Sequence, residues 1–154
     1  MNEFLYSVER EYSVPLATLW QAWVEPTALE AWYSPTALSV LPGSVTSEAH
    51  EGGVWSAAVN VPEHNFVAYF FGRYSTVNPM NQLVHTMHYV ESAEAFAHKD
   101  YTSPSHDVVI DFEDRGEKSW VKFSQFGQLP EGQAPQAQAG MESYFDNLGL
   151  YLAR

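Results

Sequence analysis

Residues 13–24, Ser-Val-Pro-Leu-Ala-Thr-Leu-Trp-Gln-Ala-Trp-Val, constrain the fold of this chain more than any other stretch. Ser13 can cap a helix start, and Pro15 suits a first helical turn, where its missing N–H costs nothing. Leu16, Leu19, Trp20, Trp23 and Val24 then recur at helical spacing, which makes one apolar stripe. Glu25-Pro26 punctuates the chain and opens a shorter helical pattern with Leu29, Trp32 and Tyr33, ended by Pro35. From there to about Gln128 the pattern is one of strands and turns, and a last helical stretch closes the chain. A strand over Phe4–Tyr12 precedes the first helix.

The strand region divides at strong turn signals. Glu51-Gly52-Gly53 leads into a strand over Val54–Val61, stopped by Pro62-Glu63-His64-Asn65. Phe66–Val77 is aromatic-rich and ends at Asn78-Pro79-Met80-Asn81. Gln82–Val90 follows, then an irregular polar segment, Glu91–Ser105. Asp107–Glu113 and Ser119–Phe126 pair through the hairpin turn Asp114-Arg115-Gly116-Glu117. Gln136–Leu152 reads as the long final helix, its stripe formed by Met141, Tyr144, Phe145, Leu148, Tyr151 and Leu152. Gly140 and Gly149 weaken this helix by about 1 kcal/mol each relative to alanine. They must bring backbones close or leave room beside it. About six strands cannot stay flat, and the final helix needs a cover. The expectation is an α+β fold in which a curved antiparallel sheet of about six strands grips a long C-terminal helix, with two short helices after the first strand. A cavity between sheet and helix follows from that geometry. No repeat or linker divides residues 1–154, so a single domain is expected.

Composition narrows the function classes. The chain of 154 residues is 45% hydrophobic and carries a net charge of -12, from 7 Lys+Arg against 19 Asp+Glu. Such a charge repels phosphate backbones and anionic headgroups, so no nucleic-acid or membrane partner is expected. No apolar run approaches the roughly 18 residues of a membrane span. Met1–Leu5 lacks the basic and apolar regions of a secretory signal. With no cysteine there is no disulfide, thiolate nucleophile or cysteine metal site. The expected setting is cytoplasmic.

The motifs that suggest chemistry are weak. His85-Thr86-Met87-His88 has the letters of a metal pair, but on a strand residues three apart face opposite ways. His50, His64, His98 and His106 fall at turns or in loops. Glu51-Gly52-Gly53 lacks the lysine and helix of a phosphate loop. No Gly-x-Ser-x-Gly elbow occurs. Asp107 and Asp111 share a strand parity opposite Val108, Ile110 and Phe112, which puts them on the solvent side. The expectation is therefore no catalytic residues, no metal and no cofactor. Phe66–Val77 carries aromatics on both parities, so both faces need covering. The final helix supplies one cover. Core packing by the chain itself comes first for the other, a second subunit of a homodimer next.

Several of these segments, in this order, resemble the START-like (SRPBCC, helix-grip) superfamily. Within it they resemble the domain named after the C-terminal half of the heat-shock-protein ATPase activator homologue. Val14-Pro15-Leu16 through Trp23 is similar to that family's opening helix, and Leu29-Glu30-Ala31-Trp32-Tyr33-Ser34-Pro35 to its second. Gly52-Gly53-Val54-Trp55, Asn78-Pro79 with Leu83-Val84-His85-Thr86, and Gly140–Tyr144 through Leu152 fit later elements. Two features depart from it: Met141 stands where tryptophan is common, and Glu91–Ser105 is longer than a hairpin needs. The resemblance implies a helix-grip fold with a pocket. The expected function is binding of a small hydrophobic molecule in an internal apolar cavity lined by Trp23, Trp32, Trp55, Phe70, His85, Tyr144 and Leu148. The alternatives are a protein-interaction role with a chaperone ATPase as partner, and an enzyme acting on an aromatic or polyketide-like substrate.

Overall fold

The structure, a computed structural model, describes residues 3–154. Strand β1 (Glu3–Tyr12) is followed by helices α1 (Leu16–Val24) and α2 (Pro26–Trp32) and by two-residue strands β2 (Ser39–Val40) and β3 (Thr46–Ser47). Then come β4 (Val54–Val61), a single 3₁₀ turn (Pro62–His64), β5 (Phe66–Asn78) and β6 (Gln82–Val90). Helix α3 (Ala93–His98), β7 (His106–Arg115), β8 (Lys118–Gly127) and α4 (Ala134–Leu152) complete the chain. The strands form one eight-stranded sheet in the order β1-β8-β7-β6-β5-β4-β2, with β3 paired to β4. Every pairing is antiparallel. The six long strands are those expected from the turn signals, and the α+β helix-grip architecture is the one observed.

Helix α4 lies along β1, and short polar contacts fix it there. Arg10 bonds Asp146 at 2.5 Å and Glu142 at 2.9 Å, and the Tyr12 hydroxyl donates to the Phe145 carbonyl at 2.8 Å. Gly149 faces β1: a Cβ there would meet the Tyr12 ring at 3.4 Å, an ordinary contact distance. At the other side Asn147 donates to the Trp32 carbonyl at 2.8 Å, which joins α4 to the end of α2.

Two local readings change. Pro15, not Ser13, holds the cap position of α1, and no side chain bonds the free N–H groups there. The Pro15 carbonyl instead accepts from Thr18 and Leu19. The segment Glu91–Ser105 is not wholly irregular, because it contains α3, capped by Ser92, whose Oγ accepts from the Ala95 N–H at 3.1 Å. This segment is also the second cover of β5. Phe96 stacks on Tyr69 at 4.7 Å, and Tyr101 meets Phe71 edge-on at 5.4 Å. The face that parity left uncovered is thus packed by the chain itself.

The β5–β6 ladder is interrupted opposite Gly72 and Arg73, where neither residue has a paired partner on β6. The Arg73 N–H goes instead to the Thr86 hydroxyl at 3.0 Å. The Thr86 carbonyl, free of the ladder, takes two side-chain donors, Trp55 Nε1 at 2.9 Å and His85 Nδ1 at 2.8 Å. A Cβ at position 72 would stand 2.0 Å from that carbonyl oxygen and 2.7 Å from Trp55 Nε1. Glycine is required here for space. Gly72→Ala is therefore expected to cost about 1–3 kcal/mol or more by overpacking. A thermal or urea melt equal to the parent's would contradict this reading of the interruption.

Candidate functional site

The concave face of the sheet carries the inward parity of each strand, and α4 covers it unevenly. The C-terminal half of α4 is solid core, with Phe145 and Leu148 fully buried. The N-terminal half borders a chamber of about 190 Å³ lined by Tyr6, Tyr33, Phe70, Met87, Gln125, Ala137, Gly140, Met141 and Tyr144. Gly140 leaves this room: a Cβ there would meet nothing within 4 Å. The two helical glycines therefore do different things. Gly149 faces the Tyr12 ring on β1, and Gly140 stands beside space.

Phe70, Met87 and Gln125 also line an outer cleft of about 1000 Å³, bounded by Tyr89, Ser103, Pro104, Ser105, His106, Asp107, Gln128 and Leu129. Chamber and cleft share these three walls, so the two adjoin across them. Both departures from the family pattern lie here: Met141 in the chamber wall, and residues 103–105 of the long segment on the rim.

Of the seven residues expected to line a cavity, Phe70 and Tyr144 are in the chamber wall. Trp23, Trp55 and His85 surround a separate void of about 20 Å³, with Tyr33, Tyr74 and Ser56. Trp32 and Leu148 are fully buried in packed core. The structure brings Tyr6, Tyr33, Met87, Gln125, Gly140 and Met141 to the chamber as well. Gln125 had a signal in the sequence, since it is a polar residue on the inward parity of Val121 and Phe123. His106, read as a loop residue, opens β7 and faces the cleft.

A hydrogen-bonded chain crosses the boundary between cleft and chamber. His106 Nε2 donates to the Gln128 carbonyl at 3.2 Å, so Nδ1 is the acceptor and takes the Gln125 amide N–H at 2.6 Å. Gln125 Oε1 then accepts from the Tyr6 hydroxyl at 2.5 Å. Gly127 makes the imidazole position possible, because a Cβ there would stand 2.4 Å from the His106 ring. With its proton committed to Gln125, the Tyr6 oxygen offers lone pairs to the chamber.

The other phenols differ. The hydroxyls of Tyr33 and Tyr144 bond no described residue, and neither is sealed in packing. Burial raises the pKa of Tyr6, Tyr33 and Tyr144, so all three stay protonated. Among the described residues no charged side chain lines the chamber.

Beyond the chamber, His85 and His88 lie on opposite faces of β6. His85 packs against Trp55 at 4.5 Å on the inner face, and His88 stacks on Phe71 at 4.8 Å on the outer one. Among the described residues no cluster of His, Asp and Glu could hold a metal ion, and no helix is long and apolar enough to cross a membrane. Asp111 accepts from Gln82 Nε2 at 2.8 Å, whereas Asp107 lies on the cleft rim.

A family model, "Activator of Hsp90 ATPase homolog 1-like protein" (AHSA1), matches residues 13–153. The chain belongs to the AHSA1 family. Solved structures similar to this AHSA1 chain include an AHSA1 protein from Silicibacter pomeroyi, with a TM-score of 0.79 and 18% identity over 96% of each chain. A protein from Chromobacterium violaceum has a TM-score of 0.77 and 16% identity over 94% of each chain. One from Nitrosomonas europaea has a TM-score of 0.75 and 21% identity, covering 96% of this chain and 93% of its own. These likenesses show the shared START-like fold. No curated protein matches at the same standard.

Burial lowers the His85 pKa from 6.5 to about 4, although its bond to the Thr86 carbonyl opposes the shift. Above about pH 6.5 neither folded nor unfolded chain carries this proton, and no stability is lost through His85. As pH falls from 6.5 towards 4, the unfolded chain takes up the proton first and stability drops, by up to about 1.4 kcal/mol per pH unit. His85→Asn keeps a donor for the Thr86 carbonyl and removes the titration. Its loss of stability between pH 7 and pH 5 is expected to be smaller than the parent's by roughly 2 kcal/mol. Identical losses in chemical denaturation would show that His85 titrates as it does in the unfolded chain.

Proposed function

We propose that this AHSA1-family chain binds a small, mainly apolar organic molecule in the chamber between α4 and the sheet, entered through the outer cleft. One observation carries the reading. At the N-terminal half of α4, Gly140 leaves open space beside a chamber that adjoins the outer cleft. A chamber with aromatic and thioether walls and a few placed polar groups suits such a ligand. The same lining favours binding over catalysis, since its ionisable groups are phenols held protonated and no carboxylate or cation stands among them. A chain carrying a net charge of -12 also disfavours an anionic ligand.

Filling the chamber tests this. Gly140→Leu puts a side chain into open space and removes a helical glycine. It is expected to keep or raise stability, by up to about 1 kcal/mol. It should also weaken binding of an apolar fluorescent dye by about tenfold or more. Gly149→Leu is expected to do the reverse: it loses about 1–3 kcal/mol against Tyr12 and leaves dye affinity unchanged. Equal dye binding by parent and Gly140→Leu would overturn the proposal.

A further inference from the structure

The unfilled hydrogen-bonding capacity of the chamber says more about its occupant than its apolar walls do. Tyr33 stands just beyond α2 and is 6% exposed. Tyr144 reaches in from α4, and the two rings meet edge to face at 5.1 Å. They are close enough that ionising Tyr144 would oppose ionising Tyr33. Neither hydroxyl has a partner among the described residues, although both border the chamber. A phenol O–H that faces open space without a protein acceptor is left to bond water or an occupant of that space.

No hydrogen bond joins either proton to a described residue, the Tyr6 oxygen on the same wall included. The third phenol shows the contrast: Tyr6 is engaged by Gln125, which is held by His106. A fixed side-chain network thus ends at the chamber wall, beside two donors that no described residue bonds.

From these two unbonded donors on one chamber wall we infer that the occupant is an uncharged aromatic molecule carrying a carbonyl oxygen, an aryl ketone or quinone, whose oxygen accepts hydrogen bonds from Tyr33 and Tyr144. The inference rests on the binding function proposed above and specifies its ligand. The aromatic body packs on Phe70 and Met87, and the carbonyl points towards α4. A carboxylate could also accept these bonds. It would bring an ionic charge into a chamber without a cation, which carries a large desolvation cost.

Fluorenone, fluorene and fluorene carboxylate have nearly the same ring system and differ in the group offered to the two phenols. Equilibrium dialysis of each against the whole chain, its Tyr33→Phe and Tyr144→Phe variants, and Gly140→Leu separates the possibilities. Fluorenone is expected to bind the parent about tenfold or more tightly than fluorene, consistent with two net hydrogen bonds. Fluorene carboxylate should bind more weakly than fluorenone. Each Tyr→Phe change should cut fluorenone affinity by about threefold or more and leave fluorene affinity the same or tighter. A role for the phenols in packing alone would move both ligands together, and melting curves of the variants report loss of fold directly. Equal affinity for fluorenone and fluorene, both abolished by Gly140→Leu, would overturn the carbonyl inference while the binding site stands. Tighter binding of the carboxylate would overturn it as well. No binding of any of the three would overturn both the inference and the proposed function.

Discussion

The packing of the Trp23 ring determines which part of this fold is solid and which part is hollow. Its indole meets Trp32 at 4.8 Å, Tyr33 at 6.2 Å, Phe123 at 6.3 Å and Phe145 at 5.9 Å. One side chain therefore joins α1 to α2, to the sheet and to α4. Such aromatic pairs contribute about 0.5–1.5 kcal/mol each beyond the area they bury. The Trp23 N–H has no partner among the described residues, a cost the packing must outweigh. Because this cluster anchors the C-terminal half of α4, the helix is fixed at one end and along β1. Its other end borders the chamber, with Tyr6, Phe70, Met87 and Gln125 across from it. The chamber is the space between a helix held at one end and a sheet that curves away from it.

Polar groups on the concave face fall into two kinds. His85 is used by the fold: its Nδ1 and Trp55 Nε1 converge on a carbonyl that the interrupted β5–β6 ladder releases. Tyr6, Gln125 and His106 form a second set, closed on itself and anchored to the Gln128 carbonyl. Tyr33 and Tyr144 belong to neither. Neither hydroxyl is sealed in packing, so each is left to water or to an occupant of the chamber. In the proposed binding function they are the groups that would select a ligand, and the apolar walls would supply the larger part of the attraction.

Much of the architecture was legible because it rests on local signals. Pro62 and Asn78-Pro79 bound the strands β4 to β6, and the stripes of α1 and α4 carry helical spacing, so the boundaries Val54–Val61 and Gln82–Val90 match. The cap of α1 differed because Pro15 itself begins the helix and its carbonyl takes the first bonds. Helix α3 is short, and its Ser92 cap was the available signal within a polar segment. The site was less legible. Periodicity places Trp32, Leu148, Phe70 and Tyr144 alike on inward faces. Whether an inward side chain meets a neighbour or a void depends on distances between elements far apart in the chain. Gly140 and Gly149 show the same limit. Both weaken the helix and both lie on α4, and only the position of Tyr12 tells which permits contact and which leaves space.

The central claim is that the space beside Gly140 is a ligand chamber and not a packing defect. A crystal structure with a brominated fluorenone, read through the anomalous signal of bromine, tests it most directly. The account predicts one ordered site, with the ring system between Phe70, Met87 and Gly140 and the carbonyl oxygen within hydrogen-bond reach of the Tyr33 and Tyr144 hydroxyls. A chamber closed by movement of α4 onto the sheet, with bromine absent or scattered over the surface, would contradict it.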